Sequence, residues 1–245
     1  MRKTVFIICV MLIALLPYVA EASEPNTLAV SGTGKLERRP DTAFVTLYVN
    51  GDGILMTDSA KRAKEMADSV EKALRSHYQN IKGIEVKDVQ IGEKRSEMWG
   101  PEMKREPARP EMTKRIRITI PPDANLALDI IDTAIREGAV LKSPSNVQFA
   151  GEADTVIVYG LTESDAISDE VRKKAIDDAK IKAEKLSALI GRALGRISAV
   201  GCGSGDIDRQ FYSFGRRDDY PTKYISADPT RIDVTRSISV TFELQ

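Results

Sequence analysis

Strict alternation of apolar and polar residues is the feature that most constrains this fold. In 113–120, Ile116, Ile118 and Ile120 alternate with Arg115, Arg117 and Thr119. The end of the chain repeats the pattern over 232–244, where Ile232, Val234, Ile238, Val240, Phe242 and Leu244 alternate with polar residues and Arg236 is the one misfit. Successive side chains of a strand point to opposite faces, so these strands are predicted to bury one face in an antiparallel sheet.

Five further segments are predicted to be strands because they are short, apolar and bounded by turn residues. They are 28–35, 42–49, 84–91, 147–160 with a bend at Gly151, and 197–200. Pro40 and Asp41 form a turn between the first two, since a proline cannot donate to a strand ladder.

Three segments have the apolar spacing of helices instead. The first begins at an N-cap on Asp58 or Ser59 and runs to about Tyr78. The second is capped by Asp123 and closes near Gly138, and the third spans about 163–190 with a capping box of Thr162 and Asp165. The predicted buried stripes are Ala60, Ala63, Ala67, Val70 and Leu74; Leu126, Ile130, Ile131, Ala134 and Ile135; and Val171, Ala175, Ala179, Ala183, Leu186 and Ile190.

Strands that outnumber helices and come in adjacent pairs predict an α+β fold, an antiparallel sheet with helices packed on one face. Two segments have no period. The segment 98–111 carries three prolines and is predicted to be an exposed hairpin loop, and 201–231 is predicted to be a long irregular loop.

The first 22 residues have the pattern of a signal peptide. Arg2 and Lys3 precede an unbroken apolar run, and Ala20-Glu21-Ala22 is a small-x-small cleavage site. An uncleaved membrane anchor is the alternative, but the run is shorter than the ~20 residues of a spanning helix. The prediction is cleavage after Ala22, which leaves a single domain over 23–245, periplasmic or otherwise exported, with no stable membrane insertion and with outer-membrane or surface association left open.

The charge of the chain argues against nucleic-acid binding, and its cysteine content excludes an internal disulfide in the mature protein. The whole chain has 36 basic and 36 acidic residues, and removing Arg2, Lys3 and Glu21 leaves 34 and 35, a net charge of −1. Such a chain lacks the basic footprint of nucleic-acid binding. Cys9 lies in the leader, so Cys202 has no partner for an internal disulfide, and stability must come from the hydrophobic core.

A series of short motifs resembles the SIMPL-domain family. They are Val30-Ser31-Gly32-Thr33-Gly34, Pro40-Asp41, Gly83-Ile84 with Lys87-Asp88-Val89-Gln90, Ala134-Ile135-Arg136-Glu137-Gly138-Ala139, the Ala- and Lys-rich segment 172–189, Gly191-Arg192-Ala193-Leu194-Gly195, and the strand 237–244. Their order covers nearly the whole mature chain. The resemblance implies an α+β fold, export, no established catalytic residues, a link to defence against oxidative and other damage, and assembly into oligomers.

The two glycine-rich segments do not match the catalytic or phosphate-binding motifs that they resemble. Gly32-Thr33-Gly34-Lys35 lacks the remainder of a phosphate loop, because Ala29 and Leu36 occupy positions that the motif reserves for Gly and Ser or Thr. These glycines are interpreted as points of close approach in a strand. Gly201-Cys202-Gly203-Ser204-Gly205 is not a nucleophile elbow, since that motif needs Gly at 202.

No residue set predicts an enzyme, a cofactor or a metal. His77 is the one histidine and is predicted near a helix end, as a dipole partner or an exposed residue, rather than as a base for Cys202. Asp206 and Asp208 lack the other ligands of a calcium loop, and Asp177-Asp178 is interpreted as a solvated helix face. The predicted catalytic, cofactor-binding and metal-binding sets are therefore empty.

An aromatic and basic cluster marks the last irregular region. Phe211, Tyr212, Phe214, Tyr220 and Tyr224 are five of the chain's 13 Phe and Tyr residues, interleaved with Arg209, Arg216, Arg217 and Lys223. These residue types are enriched at protein interfaces. Packing of the rings on their own domain, and contact with a partner or a second copy, are both left open.

Two function classes follow from the sequence. The first is a non-catalytic exported protein that contributes to stress or damage defence through homo-oligomeric assembly or binding of an envelope protein. The second is a periplasmic redox protein that uses the thiol of Cys202.

Overall fold

The fold is α+β, with strands in two antiparallel sheets. The computed structural model describes residues 26–94, 109–142, 155–202 and 220–245. In chain order the elements are β1 (Thr27–Arg38), β2 (Thr42–Asp52), α1 (Met56–His77), β3 (Gly83–Lys94), β4 (Arg109–Ile120), α2 (Ala124–Arg136), β5 (Ile157–Gly160), α3 (Ser164–Leu189), β6 (Leu194–Cys202), β7 (Ile225–Ser226) and β8 (Ile232–Leu244). The predicted class is confirmed, although the strands form two sheets where one was expected.

The larger sheet has the order β3-β4-β2-β5-β7, and the smaller one β1-β8-β6. Helices α1 and α2 cover one face of the larger sheet, where Leu47, Ile118, Val70 and Ile130 belong to one buried core. Helix α3 covers the smaller sheet across β1 and β8, with Ala179 and Val240 in a second core. Each sheet therefore has its own helical layer on one side.

Small residues bring α3 unusually close to β1. A Cβ atom added at Gly32 would lie 2.0 Å from the carbonyl oxygen of Ala175, and one at Gly34 would lie 2.0 Å from that of Val171. The interpretation of these glycines as points of close approach is confirmed, and it explains why alanines form the facing stripe of the helix.

Several details of the predicted helices are wrong. In α2, Ile135 is exposed and Ala127 is buried instead. Helix α1 begins at Met56 with Leu55 as N-cap, and Asp58 and Ser59 lie inside its first turn. In α3, Leu186 and Ile190 are exposed and Ser187 is buried instead. Residues four apart advance about 40° around a helix beyond one full turn, so the buried stripe of α3 winds from Val171 to Ser187 rather than staying on one line.

The predicted capping box of α3 is also wrong, because the junction between the sheets uses its residues. The Thr162 hydroxyl donates to Asp41 Oδ2 at 2.9 Å, and Asp165 accepts from Lys223 Nζ at 2.8 Å. The cap of α2 is confirmed, since the Asp123 carboxylate accepts from the backbone N–H groups of Asn125 and Leu126 at 2.9 and 3.2 Å.

The irregular regions are shorter than expected where the structure describes them. Residues 109–111 of the predicted 98–111 loop belong to β4, and β7 lies within the predicted 201–231 loop. The rest of the 98–111 loop, the bend at Gly151 and residues 203–219 lie outside the described residues. In the described part of the chain, no helix is long and apolar enough to span a membrane.

Candidate functional site

A pair of buried arginines on β4 is the most unusual chemical feature of the described structure. Arg115 is 9% exposed and Arg117 5% exposed, on the face of the larger sheet opposite the helices. The alternation in 113–120 predicts that one face of this strand is buried. The structure buries the arginine face as well, because aromatic and charged residues cover it.

Arg117 sits between two rings and a carboxylate. Its Nη2 donates to Glu85 Oε2 at 3.0 Å. Its Cζ lies 5.6 Å from the centroid of the Phe44 ring and 5.9 Å from that of Tyr220. These distances are within the ~6 Å range of cation–π attraction, so the guanidinium interacts with both rings as well as with the carboxylate.

Arg115 forms the second half of the cluster. Its Nη2 donates to Asp88 on β3. Thr46, Lys87, Arg115, Arg117 and Tyr220 enclose a cavity of about 10 Å³. That volume is close to the lower limit for one ordered water molecule, so the cluster has no room for a substrate in this conformation.

The carboxylate of the cluster is held ionised. A hydrogen bond from Lys87, whose Nζ lies 2.5 Å from Glu85 Oε2, is the largest cause that lowers the pKa of Glu85, and the charges of Lys87 and Arg117 lower it further. Burial acts in the opposite direction but is weaker. A carboxylate with a lowered pKa next to two cations is a poor general acid, and the arrangement fits a structural role.

The sequence contained one signal for this cluster. On β3, Glu85 lies directly opposite Arg117, and Asp88 lies directly opposite Arg115. Opposite charges on neighbouring strands form cross-strand pairs. Recognising this required knowing that β3 and β4 are neighbours and that an extra residue shifts the register between Val86 and Asp88.

Cys202 and His77 belong to different layers of the fold. Cys202 ends β6 in the smaller sheet, in register with Ile238, and its side chain is outside the described part. His77 is the exposed last residue of α1, which covers the larger sheet, and its Nδ1 lies 2.8 Å from the carbonyl oxygen of Ala73. The predicted position of His77 at a helix end is confirmed.

The remaining candidates divide between structural roles and residues outside the description. Thr33 and Lys35 lie in β1, a strand, and the Thr33 N–H donates to Asp178 Oδ2 at 2.7 Å. Asp178 therefore links α3 to β1, in addition to lying on the polar face of the helix. Asp206, Asp208, Arg209, Phe211, Tyr212, Phe214, Arg216 and Arg217 lie outside the described residues.

The two described tyrosines of the aromatic cluster pack on their own domain. Tyr220 is buried with Phe44 at a centroid distance of 5.3 Å, and Tyr224 is buried with Leu161 and Ile232. The Tyr224 carbonyl accepts from the Leu161 N–H at 3.1 Å, which ties this segment to the start of α3. For these rings, the self-packing alternative holds.

One larger cleft lies at the turns before β2 and β8. It has a volume of about 660 Å³ and is lined by Glu37, Arg38, Arg39, Pro229, Thr230 and Arg231. Arg38 pairs with Glu170 at 2.7 Å, and Arg231 lies within 4 Å of both Asp228 and Asp233. The acidic residues offset the positive charge, so the cleft is polar rather than strongly basic.

Metal binding finds no support within the described ranges, where no three His, Cys, Asp or Glu side chains form a group that could hold an ion. A family model described as SIMPL, "Protein of unknown function (DUF541)", matches residues 28–242. The chain belongs to the SIMPL family. No curated protein matches this SIMPL chain.

Proposed function

We propose that this SIMPL protein is a non-catalytic exported protein that contributes to defence against oxidative or other damage through assembly or binding. One observation carries the non-catalytic part: the buried charged cluster is committed to holding strands and loops together. Arg117 is held by Glu85, Phe44 and Tyr220, and Arg115 by Asp88. Guanidinium groups stay protonated, and contacts with Lys87 and Arg117 lower the pKa of Glu85, so these groups hold fixed charges rather than exchange protons near neutral pH.

Export is proposed from the leader. The basic start, the apolar run and Ala20-Glu21-Ala22 support cleavage before Ser23, and residues beyond it supply the folded domain. The test is fractionation of the producing cell followed by N-terminal sequencing. We expect a mature protein that begins at Ser23 in the periplasmic fraction. Recovery of an intact Met1 in the membrane fraction would contradict export of a cleaved protein.

The defence role is proposed from the family resemblance, and its test is survival of a deletion strain under peroxide. We expect the wild-type gene to restore survival and Cys202→Ser to restore it equally. Arg117→Ala, which targets the folded core, should restore less if the protein level falls.

A thiol-based function is the second candidate, because a lone cysteine is unusual in an exported chain. Cys202 stands at the end of an edge strand, after the exposed Gly201. Native mass measured with and without reductant separates the two candidates. A dimer that reductant dissociates, together with loss of protection in Cys202→Ser, would favour thiol chemistry; an oligomer that reductant leaves intact favours assembly.

A further inference from the structure

The two sheets present three long edge strands, and the chain treats them differently. Within the described residues, β1, β3 and β6 each pair with one neighbour only. An edge strand exposes backbone N–H and C=O groups that can pair with another chain, and proteins normally protect such edges. An edge strand without such protection is therefore a candidate surface for pairing with another chain.

The β1 edge is covered by side chains of α3. The Thr33 N–H donates to Asp178 Oδ2 at 2.7 Å, and Lys182 Nζ donates to the Ser31 carbonyl at 3.2 Å. Asp178 and Lys182 also pair with each other at 2.7 Å. Together they occupy an N–H and a carbonyl in the middle of β1 that an added strand would use.

The β6 edge is irregular. Its register with β8 shifts twice within nine residues, between Leu194 and Ile197 and between Ile197 and Ala199. Irregularities of this kind twist a strand away from the flat geometry that strand addition requires.

The β3 edge is regular and apolar over its second half. Residues 88–94 pair without interruption with residues 115–109 of β4. Val89 and Ile91, both on the helix side of the sheet, are 51% and 65% exposed, and Val86 is 51% exposed. Among the described residues, no side-chain cover like that of β1 is seen at this edge, and its one register shift, between Val86 and Asp88, lies before the regular half.

Further apolar surface lies at the same end of the hairpin. The Gly53 N–H donates to the Pro110 carbonyl, and Pro110 is the register partner of Glu93 on β3. The two residues that follow Gly53, Ile54 and Leu55, are 82% and 62% exposed. These two side chains add exposed apolar surface near the end of β4 that pairs with β3, and large exposed apolar patches mark interaction sites.

We propose that the β3 edge is the docking surface for a second copy of this chain, joined by antiparallel pairing of β3 with β3. The inference rests on the assembly part of the proposed function and names its surface. A two-fold axis at Gln90 places Val89 opposite Ile91 of the second copy and Asp88 opposite Gly92. No like charges face each other in this register, Lys87 lies opposite Glu93, and Val89 meets Ile91 on the helix side of the sheet.

The area available indicates a dimer that depends on concentration. The exposed fractions of Val86, Val89, Ile91, Ile54 and Leu55 add up to about three whole side chains, which offer roughly 200–400 Å² of apolar surface per copy at about 60–120 Å² for each side chain. A standard interface buries about 800 Å² per partner. The exposed aliphatic surface is smaller than this, so backbone hydrogen bonds between the two β3 strands must contribute, and the dimer is expected to dissociate on dilution.

Val89→Lys tests the proposal, with Val200→Lys as its matched control. Both residues are valines on edge strands, and each is 51% exposed, so neither substitution removes a core contact. Sedimentation across a range of concentrations should show wild type and Val200→Lys reaching the dimer mass. Val89→Lys should need at least tenfold more protein to do so, with an unchanged circular dichroism spectrum.

The outcomes separate the surface from assembly itself. An oligomer that Val89→Lys leaves unaffected would overturn the β3 surface while the assembly function stands. A wild-type protein that stays monomeric at every concentration would overturn both.

A cross-link gives a second test that does not depend on weakening the dimer. In a Cys202→Ser background, Gln90→Cys places two thiols on the two-fold axis, and directly opposite residues of an antiparallel pair lie within reach of a disulfide. Mild oxidation should give a covalent dimer, whereas Ser198→Cys on β6, in the same background, should stay monomeric. A folded Gln90→Cys protein that forms no more covalent dimer than Ser198→Cys would overturn the proposal.

Discussion

At the scale of single residues, the stability of the arginine cluster depends on packing more than on charge. Arg117 is buried between Phe44 and Tyr220, whereas its partner Glu85 keeps 53% of its side chain exposed. An ion pair with one solvated partner contributes little, because water screens the charge. The buried stem and plane of the guanidinium contribute through contacts that no smaller residue replaces.

We therefore expect Arg117→Ala and Glu85→Gln to differ strongly. Arg117→Ala should lower the free energy of unfolding by about 2–4 kcal/mol, the range of a buried large-to-small change. Glu85→Gln should lower it by less than about 1 kcal/mol. Chemical denaturation of both variants measures this difference. Equal losses would mean that the ion pair, and not the packing of the rings, dominates.

The same carboxylate gives the protein a dependence on pH. Because the folded-state pKa of Glu85 is lowered, the stabilisation it provides is complete above its unfolded pKa of about 4.3 and is lost as the pH falls through the folded value. Wild type should lose stability between about pH 5 and pH 3, and Glu85→Gln should lose less over that interval. Thermal midpoints measured at several pH values test this. Parallel curves for the two proteins would show that Glu85 does not contribute.

At the scale of elements, α3 can approach β1 closely because Gly32 has no side chain. Gly32→Ala would place its Cβ 2.0 Å from the Ala175 carbonyl oxygen and 2.5 Å from the Ala179 backbone nitrogen. Backbone atoms of a helix cannot move aside as a flexible side chain can, so α3 must shift as a unit. We expect a loss of at least about 3 kcal/mol, at the upper end of the cost of overpacking.

Gly83→Ala is the control for this substitution. A Cβ atom at Gly83, the first residue of β3, meets nothing within 4 Å. Its thermal midpoint should stay close to that of wild type, while that of Gly32→Ala falls sharply. Similar midpoints for the two variants would mean that the gap between α3 and β1 is more adaptable than the structure indicates.

The elements themselves could largely be predicted from sequence, because each is encoded by a local period. The alternation of β4 and β8 and the stripe of α1 depend on neighbours in the chain, and all three elements formed. The arrangement of strands depends on distant contacts. The pairing of β1 with β8, at opposite ends of the chain, separates a second sheet that no local pattern encodes. The buried arginines were missed for the same reason, since their cover comes from β3, β2 and Tyr220.

At the scale of the whole molecule, the two sheets meet at a junction that Asp41 organises. Asp41 lies between β1 of the smaller sheet and β2 of the larger one. Its carboxylate accepts from the Thr162 N–H at 3.0 Å and from the Thr162 hydroxyl at 2.9 Å, and its own N–H donates to the Gly160 carbonyl at 3.1 Å. Thr162 lies between β5 and α3, so one side chain joins both connections between the layers.

Removing this carboxylate should weaken the junction while leaving both cores intact. Asp41→Ala leaves the Thr162 N–H and hydroxyl without their acceptor, a loss of about 1–3 kcal/mol. In a domain of this size each kcal/mol corresponds to about 2–4 °C in the thermal midpoint. Asp41→Asn keeps one acceptor oxygen and should recover part of the loss. Calorimetry of wild type and both variants measures the order of the three midpoints. If Asp41→Ala melts with wild type, the junction is held by other contacts, such as the buried cluster that includes Leu36, Leu161 and Val234, and the hydrogen bonds of Asp41 only fix the path of the turn.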